Sequence, residues 1–154
     1  MKIIRIFNSG ENYLDKIVSF LINENGFSVE RANQRAKEIL FIAVDDNLNI
    51  IGSCSGYSEY VSKLKGWFLI YRSSVSKNNR KSGIGTTLMK ETISYFNENK
   101  MFNLIELNGI YIIFESELLN KIEKHITSAG FYLIGFTDSG NQIRVHYFDN
   151  SKFC

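Results

Sequence analysis

The stretch from Arg80 to Gly85 combines two glycines with basic residues, a set that could bind phosphate. It follows an apolar, β-rich run that ends at Val75, and it precedes a helical pattern that starts near Gly85. The N–H groups of a glycine-containing loop can converge on an anion, and a helix dipole favours negative charge at the helix N-terminus. Arg80 and Lys81 add positive charge at the same place. The sequence therefore predicts a ligand that carries phosphate.

The composition predicts one globular domain that spans residues 1–154. Of the 154 residues, 44% are hydrophobic and 22% are charged, and a chain of this length can bury a core without disulfides or metals. A formal charge of +2 makes nucleic acid an unlikely partner. Cys54 and Cys154 are far apart and form no CxxC pattern, so we expect neither a disulfide framework nor a metal site.

Targeting and membrane signals are not evident in the sequence. No apolar run approaches the length of a membrane span. The apolar stretch over residues 1–7 is too short and too interrupted for a signal peptide. We therefore expect a cytoplasmic location and no membrane partner.

Hydrophobic periodicity predicts the element order β-α-α-β-β-β-α-β-α-β-β. The predicted strands cover residues 2–7, 41–45, 49–57, 66–75, 103–108, 131–136 and 142–148. The predicted helices cover residues 11–25, 29–40, 85–98 and 117–129, with Ser9 as a candidate N-cap of the first. Because hairpins alternate with crossover helices, we expect an α/β (α+β) fold. Its central sheet should be mixed, mostly antiparallel, with about seven strands and about four flanking helices.

Three kinds of phosphate-binding loop compete for this stretch. A P-loop needs Gly-Lys-Ser/Thr, whereas Thr86 follows Gly85 here. A dinucleotide-binding loop needs a third glycine where this chain has Leu88, although Glu106 imitates its ribose-binding acid. The loop over residues 76–82 is also too long for the tight turn of that fold.

The third candidate fits, because Arg80-x-x-Gly83-x-Gly85 resembles the Arg/Gln-x-x-Gly-x-Gly/Ala motif of the GCN5-related N-acetyltransferase (GNAT) family. The resemblance extends along nearly the whole chain. Residues 41–44 and 50–52 are similar to the family's second and third strands, and residues 73–75 stand at the end of its fourth. Gly130-Phe131 matches the pair that ends its fourth helix.

The resemblance implies acetyl-CoA, or another acyl-CoA, as the donor for direct attack by an amine. The pyrophosphate would lie on the backbone N–H groups of residues 81–86, with Arg80 ordering the loop or adding charge. The pantetheine arm would pair with residues 73–75 like an extra strand, and an N–H near Val75 would polarise the thioester oxygen. The implied acetyl-CoA site therefore consists of Ser73, Ser74, Val75, Arg80, Lys81, Ser82, Gly83, Ile84, Gly85 and Thr86.

Catalytic residues are less clearly marked than the loop. Many family members place a carboxylate on the fourth strand, and residues 67–71 contain none. Glu59, just beyond the third strand, and Glu106, on the predicted fifth strand, are the candidate bases. Tyr71 is the candidate acid, and Tyr111 could also reach the sulfur.

The acceptor is expected to be a small-molecule amine or the amine of a peptide or protein, and a second copy of the chain is a candidate partner. A toxin-like acyltransferase of aminoacyl-tRNA is a further alternative, which predicts a basic face. The rival from another class is a non-catalytic acyl-CoA-binding module. Two features motivate this rival: the fourth strand has no carboxylate, and Ile126 stands where the family has the tyrosine that acts as general acid.

Overall fold

The apolar runs of the sequence form the strands and helices of a mixed α/β fold. The computed structural model describes residues 1–149. In this part of the chain the strands are β1 (Lys2–Arg5), β2 (Ile39–Val44), β3 (Ile50–Val61), β4 (Gly66–Val75), β5 (Met101–Phe102), β6 (Ile105–Glu106), β7 (Gly109–Ile113), β8 (Tyr132–Phe136) and β9 (Gln142–Tyr147). The helices are α1 (Leu14–Asn25), α2 (Val29–Ala36), α3 (Ile84–Glu98) and α4 (Glu117–Asn120).

Seven of these strands form one sheet in the order β1-β2-β3-β4-β7-β9-β8. The pairs β1–β2, β2–β3, β7–β9 and β8–β9 are antiparallel, whereas β4 and β7 run parallel. The parallel register joins Phe68 to Gly109 and Ile70 to Tyr111. The predicted mixed, mostly antiparallel sheet of seven strands with four helices is thus confirmed.

The chain divides into two compact units, and β3, β4 and α3 each contribute a segment to both. The first unit comprises Met1–Gly56 and Arg72–Thr92. Its hydrophobic core joins α1, α2 and β2 and consists of Ile17, Phe20, Leu21, Ala32, Ala36, Ile39, Ile42 and Val44. Burial of these side chains, at about 25 cal/mol per Å² of apolar area, holds both helices against the sheet.

The second unit comprises Tyr57–Tyr71 and Ile93–Cys154. Aromatic rings contribute to its packing: Phe96 contacts Phe102 and Phe148, and Phe68 packs edge-on against Tyr147. The single domain predicted over residues 1–154 stays a prediction. Cys154 lies outside the described residues.

Helix boundaries differ from the sequence prediction by a few residues. Helix α1 begins at Leu14 with Tyr13 as its N-cap, so Ser9 does not cap it. Helix α2 ends at Ala36 rather than at residue 40, because β2 begins at Ile39. Helix α3 begins at Ile84, one residue before the predicted start.

The predicted strand over residues 103–108 is wrong. Asn103 and Leu104 both have positive φ, 46° and 70°, the conformation of a two-residue hairpin turn. The turn joins β5 to β6 in a separate two-stranded sheet, so Glu106 lies on this hairpin. The strand beside β4 is β7, which the sequence analysis did not predict.

The predicted helix over residues 117–129 is also wrong, since α4 ends at Asn120. Arg144 is fully buried and donates to the carbonyls of Ile122, Lys124 and His125, at 3.1, 2.7 and 3.2 Å. Its remaining donors bond the Phe131 carbonyl and the Gln142 side chain. All five guanidinium N–H groups therefore have acceptors, and carbonyls that would continue a helix are bonded to an arginine instead.

Replacing Arg144 by Met should lower the free energy of unfolding by about 3 kcal/mol or more, because several buried carbonyls lose their donor. Urea unfolding followed by circular dichroism measures this loss. Lys121→Met, at an exposed position beside α4, is the matched control and should change stability by less than about 0.5 kcal/mol. Equal stability of both variants would show that the irregular segment does not depend on Arg144.

Candidate functional site

The loop between β4 and α3 is fixed to the sheet at its first residue. Ser76 is buried, and its N–H donates to the Ile51 carbonyl of β3 at 2.9 Å. A short 3₁₀ turn over Lys77–Asn79 follows, and the Asn79 side chain donates to the Ser76 hydroxyl at 2.8 Å. The start of the loop is therefore ordered by hydrogen bonds rather than by apolar packing.

Glu24, near the end of α1, holds the same segment from a second direction. Its carboxylate accepts a hydrogen bond from the Lys77 N–H at 2.8 Å. Charge-assisted hydrogen bonds of this kind are stronger than neutral ones. The sequence analysis missed Glu24 because 53 residues separate it from Lys77 and no local pattern links the two.

The loop turns into α3 through two residues with left-handed backbone. Lys81 has φ of 68° and Gly83 has φ of 83°. The Ser82 N–H bonds the Asn79 carbonyl at 3.3 Å, and the Ser82 hydroxyl donates to the same carbonyl. A left-handed conformation is costly for most residues and easy for glycine, so Gly83 suits the residue just before the helix.

The N-terminus of α3 presents backbone donors. Thr87 N–H donates to the Gly83 carbonyl at 2.9 Å, which marks the first full turn of the helix. By helix geometry the N–H groups of Ile84, Gly85 and Thr86 have no acceptor inside the helix. Together with the partial positive charge of the helix end, they can bind an anion.

Space for a ligand exists beside both glycines. A Cβ on Gly83 would have no heavy atom within 4 Å, and one on Gly85 would meet only Val75 Cγ2 at 3.9 Å. By contrast, a Cβ on Gly52 would lie 2.6 Å from Ile84 Cγ2. The absence of a side chain at position 52 lets the start of α3 lie close to β3.

The end of β4 carries a buried polar atom with no partner. The hydroxyl oxygen of Ser74 is buried and has no hydrogen-bond partner among residues 1–149. Ser73 is exposed, and Ser74 and Val75 are half-buried. Buried hydroxyls are normally bonded, so a polar ligand group along this strand would satisfy Ser74. The strand end and the loop together fit an elongated ligand with a phosphate end.

Arg80 and Lys81 are both exposed. Their side chains add positive charge beside the backbone donors of the loop. Ser82, which is exposed as well, stands between the two left-handed residues. The structure therefore brings together in one loop the residues that the motif predicted for binding an anion.

In the second unit, Tyr111 and Glu59 interact electrostatically. Burial raises the pKa of Tyr111, and the negative charge of Glu59 raises it further. Tyr111 lies on β7 in register with Ile70 of β4, and Glu59 is exposed near the end of β3. The phenol therefore keeps its proton to higher pH than an ordinary tyrosine.

The other two predicted catalytic residues lie in different surroundings. Tyr71 is 2% exposed, with its hydroxyl oxygen buried. Glu106 is exposed on the β5–β6 hairpin. Ile126 is 46% exposed and forms an isolated bridge with Tyr132 in the irregular segment after α4.

Within residues 1–149, no group of three or more His, Cys, Asp or Glu side chains could hold a metal ion. Over the same residues, every helix is too short or too polar to cross a membrane. Cys54 is buried, and its sulfur lies 3.6 Å from the Thr92 hydroxyl.

Comparison with known proteins gives one family. The model of the acetyltransferase (GNAT) family matches residues 11–110. No curated protein matches the chain.

Several solved structures share the fold. A ribosomal-protein-S5-alanine acetyltransferase from Vibrio fischeri is 16% identical with a TM-score of 0.66, covering 97% of this chain and 94% of that one. An aminoglycoside 6'-N-acetyltransferase complexed with coenzyme A is 15% identical, with a TM-score of 0.62 and 99% coverage of both chains. A GNAT family N-acetyltransferase from Escherichia coli in complex with CoA is 17% identical, with a TM-score of 0.64 and coverages of 97% and 82%.

Replacing Glu24 by Leu should weaken binding of acetyl-CoA by about tenfold, because the Lys77 N–H loses its charged acceptor and the loop loses an anchor. Isothermal titration calorimetry measures the dissociation constant. Glu24→Gln keeps an acceptor oxygen without the charge and should bind acetyl-CoA less tightly than the unmodified protein but more tightly than the Leu variant. If the Leu and Gln variants bind acetyl-CoA equally, Glu24 does not position the loop.

Proposed function

We propose, from the premise that this chain belongs to the acetyltransferase (GNAT) family, that the loop from Lys81 to Thr86 binds the pyrophosphate of acetyl-CoA. The protein is accordingly an acetyl-CoA-dependent N-acetyltransferase. The observation that carries the assignment of the loop is its backbone: left-handed residues at 81 and 83 lead directly into the unpaired N–H groups of α3.

The loop suits a pyrophosphate for electrostatic reasons. The N–H groups of Ile84, Gly85 and Thr86 point out of the helix end, where the dipole favours negative charge. Arg80 and Lys81 are exposed beside them and add two positive charges. The open space next to Gly83 and Gly85 allows phosphate oxygens to approach the backbone closely.

The pantetheine arm is assigned to Ser73, Ser74 and Val75 at the end of β4. An extended ligand that pairs with a strand edge gains backbone hydrogen bonds. The unpartnered hydroxyl of Ser74 supports this assignment, because a ligand amide would supply the missing partner. A backbone N–H near Val75 polarises the thioester oxygen.

The thioester of bound acetyl-CoA supplies the acetyl group, which passes to an amine and leaves CoA as a thiol. Glu59 is assigned as the general base that accepts the proton lost by the amine. The Tyr111 hydroxyl is assigned as the hydrogen-bond donor to the sulfur of CoA. Because an ordinary thiol has a pKa of about 8.5, below that of a tyrosine, Tyr111 stabilises the thiolate without becoming ionised, and water supplies the final proton.

Tyr71 and Glu106 rank below these two residues. The buried hydroxyl of Tyr71 lies in the packed interior, and Glu106 belongs to the separate hairpin. The acceptor is an amine, whether of a small molecule or of a peptide or protein. The cytoplasmic location and a homodimer remain predictions from the sequence.

Replacing Gly85 by Glu should abolish detectable binding of acetyl-CoA, a loss of at least about 100-fold, because a carboxylate would meet the pyrophosphate. The fold should persist, since a Cβ has room at this position and an acidic residue in the first turn complements the helix dipole. Calorimetry with acetyl-CoA, together with the melting temperature, separates binding from folding.

Gly85→Gln is the matched control, because it has the same size without the charge and should lose less affinity than Gly85→Glu. Unchanged affinity in the Glu variant would show that the pyrophosphate binds elsewhere. Binding of acetyl-CoA by the unmodified protein with no turnover across a panel of amines would favour the non-catalytic alternative.

Replacing Tyr111 by Phe should lower kcat by about 100-fold, because a hydrogen bond made only as the thiolate forms is lost. The KM for acetyl-CoA should stay the same. Since the pKa of Tyr111 is raised, kcat of the unmodified enzyme should fall only above about pH 10, and this alkaline decline should vanish in the Phe variant.

The Glu59→Gln variant tests directly whether the charge of Glu59 raises the pKa of Tyr111. Removing its charge should lower the pKa of Tyr111, while burial keeps that pKa above the usual range. Nuclear magnetic resonance of carbon-13-labelled tyrosine rings measures the change. An unaltered kcat in the Phe variant would mean that Tyr111 does not stabilise the thiolate and has no role in the reaction.

A further inference from the structure

A small cavity beside α2 is lined mainly by arginines. Its volume is about 180 Å³, and its walls are Arg31, Gln34, Arg35, Glu38 and Arg72. Three guanidinium groups and one carboxylate give these walls a formal charge of 3 − 1 = +2. None of these residues belongs to the loop or to the strand end assigned to acetyl-CoA.

Phe27 orients two of the arginines. The guanidinium carbon of Arg31 lies 4.0 Å from the centre of the Phe27 ring, and that of Arg35 lies 5.5 Å from it. An aromatic face attracts a guanidinium and restricts its rotation. The two positive groups are therefore held in position.

Glu38 fixes the other side of the cavity. Its carboxylate accepts a hydrogen bond from Arg72 and lies 3.9 Å from Arg35 Nε. Arg35 also donates to the Ser55 hydroxyl at 3.4 Å. The side chains of Arg35, Glu38 and Arg72 are 16%, 28% and 32% exposed, so this side of the cavity is partly shielded from solvent, whereas Arg31 and Gln34 are exposed. Charges in such a site are screened less than charges on the open surface.

Arg31 is not needed for this ion-pair network. Among residues 1–149 it forms no ion pair, and it stands one helical turn before Arg35, where like charges disfavour the helix. The contact with Phe27 holds the Arg31 guanidinium but does not neutralise its charge. The surplus positive charge at the cavity therefore indicates a ligand that supplies negative charge.

We propose that this cavity is the subsite that binds an anionic group, a carboxylate or a phosphate, on the acceptor amine. The inference rests on the proposed function, and it narrows the acceptor to an amine that carries such a group. Arg72 lies on β4, the same strand whose last three residues, Ser73 to Val75, are assigned to the pantetheine arm.

The chemistry of the walls suits a single anion. Guanidinium groups bind carboxylate and phosphate oxygens through paired N–H donors, and the Gln34 amide adds a neutral donor. A volume of about 180 Å³ accommodates one such group rather than a length of nucleic-acid backbone. The observations therefore favour a small or terminal anionic amine over an RNA acceptor.

The test uses matched pairs of amines that differ in charge. Glycine is compared with glycinamide, and O-phosphoethanolamine with ethanolamine, by CoA release at fixed acetyl-CoA. We expect kcat/KM to be at least about tenfold higher for the anionic member of one pair. The pair that shows the larger preference identifies carboxylate or phosphate as the group recognised.

Variants connect this preference to the cavity. Arg31→Gln should remove most of the preference, mainly through KM of the anionic amine, and Arg31→Lys should restore part of it. Lys37→Gln removes the same charge from the exposed end of α2, outside the cavity walls, and should leave the preference intact. The proposal would be overturned if kcat/KM were equal for the anionic and the uncharged member of both pairs. It would also be overturned if the preference for the anionic member survived in Arg31→Gln.

A binding readout separates failure of this subsite from failure of the catalytic assignment. If no amine is acetylated, the arginine Nε–H resonances are followed by nuclear magnetic resonance as the four amines are added. Shifts caused by an anionic amine, absent in Arg31→Gln and present in Lys37→Gln, would support the subsite without turnover. Absence of any such shift would refute it.

The RNA alternative has its own outcome. Acetylation of aminoacyl-tRNA, with no anionic small amine as substrate and a salt dependence that indicates several phosphate contacts, would show that the cavity belongs to a nucleic-acid surface. In that case the proposal of a single-anion subsite is wrong.

Discussion

The candidate site depends on three backbone N–H groups that an α-helix cannot satisfy by itself. Ile84, Gly85 and Thr86 begin α3, and their amides need an acceptor from outside the helix. Two features keep this helix end in place and accessible. The Ser76 N–H is bonded to β3, and the missing side chain of Gly52 lets α3 approach the same strand. The anion-binding property follows from the helix geometry, and the sheet determines where that property is presented.

A comparable constraint shapes the irregular segment of the second unit. The carbonyls after α4 are bonded to the buried guanidinium of Arg144, whose bonded partners within residues 1–149 include no carboxylate. Carbonyl dipoles thus solvate a buried cation, and the chain gives up helical hydrogen bonds to provide them. Backbone carbonyls therefore act as ligands of an arginine here, and the amides at the start of α3 are proposed to act in the same way toward an anion.

Sequence reasoning succeeded where local pattern and local geometry coincide. The strand over Gly66–Val75, the glycine-containing loop and the helix after it are adjacent in the chain, so local pattern predicted this strand–loop–helix unit. Binding of phosphate by the loop stays a prediction. It failed where a distant residue decides the local structure. Periodicity over residues 117–129 favours a helix, yet Arg144 of β9 takes the carbonyls that a longer helix would use. The strand predicted at 103–108 failed for a local reason, because a two-residue turn interrupts it.

By itself, the sequence determined the order of elements from β1 to α3 and the loop whose composition suits an anion, because both depend on hydrophobic periodicity and on residue types over short spans. The tertiary structure decided which distant side chains meet, both at that loop and at the cavity beside α2. Glu24 meets Lys77 across 53 residues, and Glu38 meets Arg72 across 34. Such pairs leave no periodic signal, since a charged residue at a helix end looks like any other surface charge until the sheet brings its partner within hydrogen-bonding distance.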